Sequence, residues 1–175
     1  MPSLSVLYYP DKRLRQASKA ITEITPEILE LVDGLKKTLE EEHGLGIAAP
    51  QVGVLKRVII IRSPEEGIPI AVINPEINES SGKVTFKEAC LSLPGIEGEV
   101  TRASKVTLTG LNERGEKLEL TLEHIFAACA QHEIDHLFGI LFIDKLSNLR
   151  KQLIKGRLRN LSLLQDVQLH FPLGS

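Results

Sequence analysis

The chain has 175 residues, 42% of them hydrophobic and 25% charged, with a formal net charge of −2. That length is enough for one domain with a substantial core, expected over 1–175, and the nearly balanced, dispersed charge argues against sequence-specific nucleic-acid binding or an anionic membrane as the main partner. Residues 1–20 hold no apolar run suited to export and no stretch approaches the ~20 apolar residues of a membrane span, so a cytoplasmic protein is expected.

Residues 1–24 read as an irregular arm with at most a turn of helix at 11–14. Thr25-Pro26-Glu27 then opens a helix, with a capping hydroxyl, proline at the first helical position and an early acid. Ile28, Leu31, Val32, Leu35 and Leu39 fall on one face of it, and it ends before Gly44. Gly44-Leu45-Gly46 has no following lysine and no preceding strand, which excludes a P-loop or dinucleotide cradle; it reads as a tight loop with close backbone approach. Strands follow at 57–62, 68–73 (ending at Asn74-Pro75), 83–87, 97–102, 105–111 and 118–122, the last two joined as a hairpin through Asn112-Glu113-Arg114-Gly115. A helix over 123–138, a short strand at 140–143 and a final helix capped by Ser147 complete the chain. In that last helix Leu149, Leu153, Leu158, Leu161 and Leu164 make an apolar stripe, with Lys151, Lys155, Arg157 and Arg159 on the wet side. The expected fold is α+β: antiparallel sheets wrapped around a central helix, with an N-terminal and a C-terminal helix.

The central helix carries His132-Glu133-Ile134-Asp135-His136. Histidines four apart project from one helical face roughly 6 Å apart, so both imidazoles reach one divalent ion. Glu133 points about 100° round the helix from His132, placed to take a proton from water at the ion's open position. A catalytic metal needs a third protein ligand. A metzincin would have histidine at 142, where this chain has Phe142, and no glutamate follows Leu137. Asp144, Asp166 and His170 are poorly placed, which leaves an upstream ligand as the better choice. Of the two cysteines, Cys129 reads as a small buried hydrophobe on the helix itself. Cys90 lies between strands in Glu88-Ala89-Cys90-Leu91-Ser92, and a thiolate with two imidazoles makes a tetrahedral site with one open position. A Cys90–Cys129 disulfide is disfavoured without any sign of secretion.

Three blocks, Gly44-Leu45-Gly46-Ile47-Ala48-Ala49-Pro50-Gln51, Glu88 to Ser92 and His132 to His136, together with Asp11-Lys12-Arg13-Leu14-Arg15, make the chain resemble the peptide deformylases over nearly its whole length. The resemblance implies removal of the formyl group from N-formyl-methionyl nascent peptides. It implies one divalent ion on Cys90, His132 and His136, iron(II) in most bacterial members, with zinc or nickel able to occupy the same site. Glu133 would be the general base, with Gln51 and the Leu91 N–H stabilising the oxyanion. Leu45 and Gly46 would hold the substrate backbone, and Leu45, Ile125, Ala128 and Cys129 are candidates for the methionine pocket. Glu88, Arg102 and Asp135 are candidates for orienting the ligands, Glu88 and Ala89 also for bordering the substrate. Ala89 replaces the family's usual glycine, and its methyl is expected to narrow the cleft. The basic final helix reads first as a docked helix with a solvated face; the resemblance to bacterial deformylases implies contact with the ribosome as its functional reading. A metallopeptidase with another third ligand and a structural zinc module are the competing classes, the second weakened by the lack of another nearby cysteine.

Overall fold

The computed structural model describes the backbone of residues 2–170 and the side chains of residues 2–165. Helix α1 (Pro26–Glu41) begins at Pro26, but Thr25 does not cap it with its side chain; instead the Thr25 carbonyl accepts from Ile28 and Leu29. Seven strands follow: β1 (Gly46–Ala48), β2 (Val58–Arg62), β3 (Pro69–Ser81), β4 (Val84–Ala89), β5 (Glu97–Arg102), β6 (Lys105–Leu111) and β7 (Lys117–Glu123). They form a five-stranded sheet in the order β1-β2-β3-β6-β7 and a separate two-stranded sheet, β4-β5, with every pairing antiparallel. Helices α2 (His124–Leu137) and α3 (Asn148–His170) complete the fold.

Strand β2 explains why the sheet is sandwiched. Its run Val58-Ile59-Ile60-Ile61 is buried on both faces. Because alternate residues point to opposite faces, Val58 and Ile60 join Val32, Leu35 and Leu39 of α1 in one core, while Ile59 and Ile61 join Ala127, Ala130 and Leu137 of α2 in another. A third cluster ties the β4-β5 hairpin to the C-terminal region through Ile96, Val100, Leu141, Phe142 and Ile154. The α+β class, with antiparallel sheets and three helices, is the one expected from the sequence.

Four local expectations change. The glycine loop runs directly into an edge strand, β1, paired with β2 from Gly46↔Ile61 onward. Strand β3 continues past Pro75 to Ser81: its ladder with β6 skips from Ile73 to Glu76, so the proline's missing N–H costs no ladder bond. Asn74, at φ 51°, turns its side chain to the Ile21 backbone, accepting from its N–H and donating to its carbonyl. Residues 140–143 are not a strand. A 3-10 turn, Phe142–Lys145, forms there, and the Asp144 carboxylate accepts from the Leu141 N–H. Finally, α3 begins after Ser147, whose hydroxyl accepts from the Arg150 N–H, but its docking face is Ile154, Leu158 and Leu161. Leu149, Leu153 and Leu164 are exposed, because the five leucines span too wide an arc for one face and the row containing Ile154 wins. Lys151, Lys155, Arg157 and Arg159 are exposed as expected.

Ile60→Ala should lower stability by about 2–5 kcal/mol through lost burial and a residual cavity. Leu153→Ala, at 64% exposure, should change it by less than about 0.5 kcal/mol. Urea midpoints of the two variants check the contrast.

Candidate metal centre

Helix α2 holds His132 and His136 on one face, their rings 5.0 Å apart at the centroids and inclined by 65°. The turn after β4 brings up Cys90, whose Sγ lies 3.4 Å from His136 Nε2. One donor atom from each of Cys90, His132 and His136 lies within 4.8 Å of the others, the one such His/Cys/Asp/Glu group found among the described residues. A thiolate and two imidazoles at this spacing fit a divalent ion in tetrahedral coordination and leave one position free.

The residues around the donors set their orientation. His132 Nδ1 lies 2.7 Å from Glu88 Oε1, which commits that nitrogen and leaves Nε2 for the metal side. Glu88 is itself held by Arg102, at 2.6 Å from Nε and 2.9 Å from Nη2, while Arg102 Nη1 donates to Asp135 at 2.9 Å. The ring of Phe142 stacks on His132, centroids 6.0 Å apart and 23° from parallel. So the position that lacks a metzincin histidine supplies the wall behind a ligand. Asp144 is committed to Arg15 through a two-point ion pair, and Asp166 and His170 have side chains outside the described residues.

Charge at the site follows from burial. Burial pushes the His136 pKa well below the usual histidine range, which keeps the imidazole neutral and able to ligate. For His132 burial acts in the same direction, but hydrogen bonds to Cys90 and Glu88 outweigh it and raise its pKa well above the usual value. Positive charge is favoured at this point. Glu133 is only 4% exposed, and its Oε2 has no hydrogen-bond partner. Burial raises its pKa to about 7, against the pull of His132 and Arg102, so the carboxylate is suited to exchanging a proton near neutrality. Burial likewise pushes the Cys129 thiol up, which keeps it neutral.

A cavity of about 390 Å³ opens over these groups. Leu45, Gly46, Gln51, Glu88, Ala89, Cys90, Leu91, Ile125, Ala128, Cys129, His132 and Glu133 all border it, whereas His136 does not and is buried. Gly46 is required by its neighbours: a Cβ there would lie 2.7 Å from Cys129 Sγ and 2.8 Å from Glu133 Cγ. Gln51 accepts from the Ala48 N–H at 2.9 Å and points Nε2 at Cys90 Sγ, 3.5 Å away. Ala89 differs from expectation in one respect. By strand alternation its methyl lies on the face opposite buried Glu88, and the residue is exposed, so it borders the rim without facing the metal donors. Phe86, Lys87, Glu42 and His43 also border the cavity and were missed from sequence. For Phe86 the signal was present, since it precedes Glu88 by two residues on the same strand face.

The polypeptide deformylase family model matches residues 3–152. The chain belongs to this family. Peptide deformylase from Halothermothrix orenii is 47% identical over 154 residues, covering 88% of this chain and all of the relative. Among solved deformylases, the Legionella pneumophila structure aligns at TM-score 0.85 and 38% identity, covering 94% of this chain and 98% of that one. The Ehrlichia chaffeensis peptide deformylase in complex with actinonin aligns at TM-score 0.84 and 37% identity, covering 91% and 98%. Like those relatives, the deformylase described here is an enzyme, and its Cys/His/His centre takes a single metal ion.

Removing the carboxylate behind His132 tests how far orientation governs metal binding. Glu88→Ala should weaken metal affinity by about 10–100-fold, measured by chelator competition against the unaltered protein.

Proposed function

We propose that the chain removes the N-formyl group from the N-terminal formyl-methionine of nascent polypeptides, releasing formate and a free amino terminus. The observation that carries this reading is the position of Glu133: a buried carboxylate with an unpartnered oxygen, beside a Cys/His/His donor set and open to the same cavity.

The metal, when bound through Cys90, His132 and His136, supplies Lewis acidity toward water and the formyl oxygen. Iron(II) is the ion we assign in the cell; zinc or nickel suits the same donors. Glu133 accepts the proton of the attacking water and delivers it to the departing amine as the formyl C–N bond breaks. Gln51 Nε2 and the Leu91 N–H donate to the oxygen on which negative charge develops.

The substrate chain has two strand edges to meet. Among the described residues β1 pairs only with β2, and β4 only with β5, so each leaves one edge unpaired there, and residues of both border the cavity. An extended peptide beside Leu45 and Gly46 takes up such hydrogen bonds, with specificity left to alternate side chains. Leu45, Ile125, Ala128 and Cys129, with Phe86, form the apolar wall for the methionine side chain. The exposed basic side of α3 contacts the ribosome in this reading, and the chain works in the cytoplasm as one catalytic domain, 1–175. Among the described residues no helix is long and apolar enough to cross a membrane.

Formate release from a short N-formyl-methionyl peptide, by protein prepared without oxygen and loaded with iron, nickel or zinc, tests the reaction and ranks the metals. Glu133→Gln should retain its ion and lose about 10²–10⁴-fold in turnover. Cys90→Ala should lose both ion and turnover. Stoichiometric metal with no formate under any ion would sink the assignment.

A further inference from the structure

Ser92 is fully buried and carries a polar side chain to which the mechanism above gives no part. Its hydroxyl oxygen lies 3.2 Å from Gln51 Nε2. The amide of Gln51 is oriented without ambiguity. A backbone N–H can only donate, so the atom facing Ala48 N must be the carbonyl Oε1, and the NH₂ group faces Cys90 and Ser92. One NH₂ hydrogen goes to the serine hydroxyl, leaving the second on the Cys90 side, where the reacting carbonyl must sit.

The two segments are also tied from behind. Along the N-terminal arm, alternate backbone donors Leu7 N–H and Tyr9 N–H bond to the carbonyls of Gln51 at 2.7 Å and Ser92 at 2.8 Å. The separation of the Gln51 and Ser92 backbones is therefore fixed by a third strip of chain, and the side-chain bond between them closes the arrangement. A carboxamide held at Oε1 alone could swing about its terminal torsion, which is broad and roughly two-fold. Held at both ends, it cannot.

We infer that Ser92 is a positioning residue for the deformylation reaction, fixing the Gln51 carboxamide so that one N–H is aimed at the developing oxyanion. The inference rests on the oxyanion role given to Gln51 above. A group that acts only through Gln51 affects the charged transition state more than the bound substrate, so the effect belongs in kcat and leaves KM little changed.

The test is a double-mutant cycle in the metal-loaded enzyme, with metal content and peptide-product affinity measured alongside. Gln51→Leu should lower kcat by about 10²–10³-fold, the typical effect of deleting one oxyanion donor. Ser92→Ala should lower kcat by roughly tenfold, a displaced rather than deleted donor, with KM and product affinity unchanged. In the Gln51→Leu background the same substitution should cost nothing further. Ser92→Cys, a near-isosteric weak partner, should fall between serine and alanine, and it replaces Ser92→Ala in the cycle should the alanine variant not fold. An unaltered kcat in Ser92→Ala, or the same loss persisting in the Gln51→Leu background, would overturn the inference. Full kcat in Gln51→Leu would overturn the roles of both residues. Absence of formate release by the unaltered protein would instead strike at the activity itself.

Discussion

A buried guanidinium holds the site together. Arg102, 7% exposed at the end of β5, faces Glu88 from β4 and Asp135 from α2, and Glu88 in turn engages His132. An unpaired charge in such a place costs several kcal/mol, so the arrangement persists only with all partners present. This matters because the β4-β5 hairpin shares no ladder with the five-stranded sheet. The polar network and the apolar cluster around Ile96, Val100 and Phe142 are what fix Cys90, just beyond β4, against a helix that packs on the other sheet. The same contacts that pay for burying Arg102 therefore set the distance between the thiolate and the two imidazoles.

The legible part of the chain was the part governed by local period. Residues 97–102 and 105–111 alternate and become β5 and β6 with those bounds, while the uninterrupted apolar run of β2 reports burial between two helices. The histidine pair was readable because four-residue spacing on a helix is itself a geometric statement. What local pattern could not carry was decided by tertiary contacts. Pro75 reads as a strand end, yet a bulge absorbs it; Ile140 to Ile143 read as a strand, yet Leu141, Phe142 and Ile143 are recruited as core and bend into a turn. The leucine stripe of α3 was too broad to fix its docking face, and packing in the third cluster selects Ile154, Leu158 and Leu161.

Site residues divided along the same line. Gln51 and Leu91 became interpretable only through the family resemblance, since nothing in the spacing of a lone glutamine or a backbone N–H announces an oxyanion donor. Gly46 is different. Its glycine is explained by Cys129 and Glu133, which lie 83 and 87 residues further along the chain and touch it across the α2–β1 contact. Phe142 is the reverse case, a residue noticed for the histidine it is not and placed by the fold against the ring of His132.

Electrostatics then links the metal to the fold. Glu88 and Asp135 share the buried guanidinium of Arg102, with Lys145 reaching Asp135 only from 3.7 Å at the edge. Burial is the main upward pressure on the pKa of Glu133, whereas for His132 the hydrogen bonds to Cys90 and Glu88 outweigh burial and favour the protonated ring. A divalent cation held by Cys90, His132 and His136 would supply positive charge beside Glu133, while Glu88 and Asp135 stay with Arg102. Glu133 borders the same cavity and keeps one buried carboxylate oxygen without a hydrogen-bond partner. With both carboxylates committed to Arg102, the Cys/His/His donors are the part of the site left to take a cation, and the fold brings Glu133 to the same cavity.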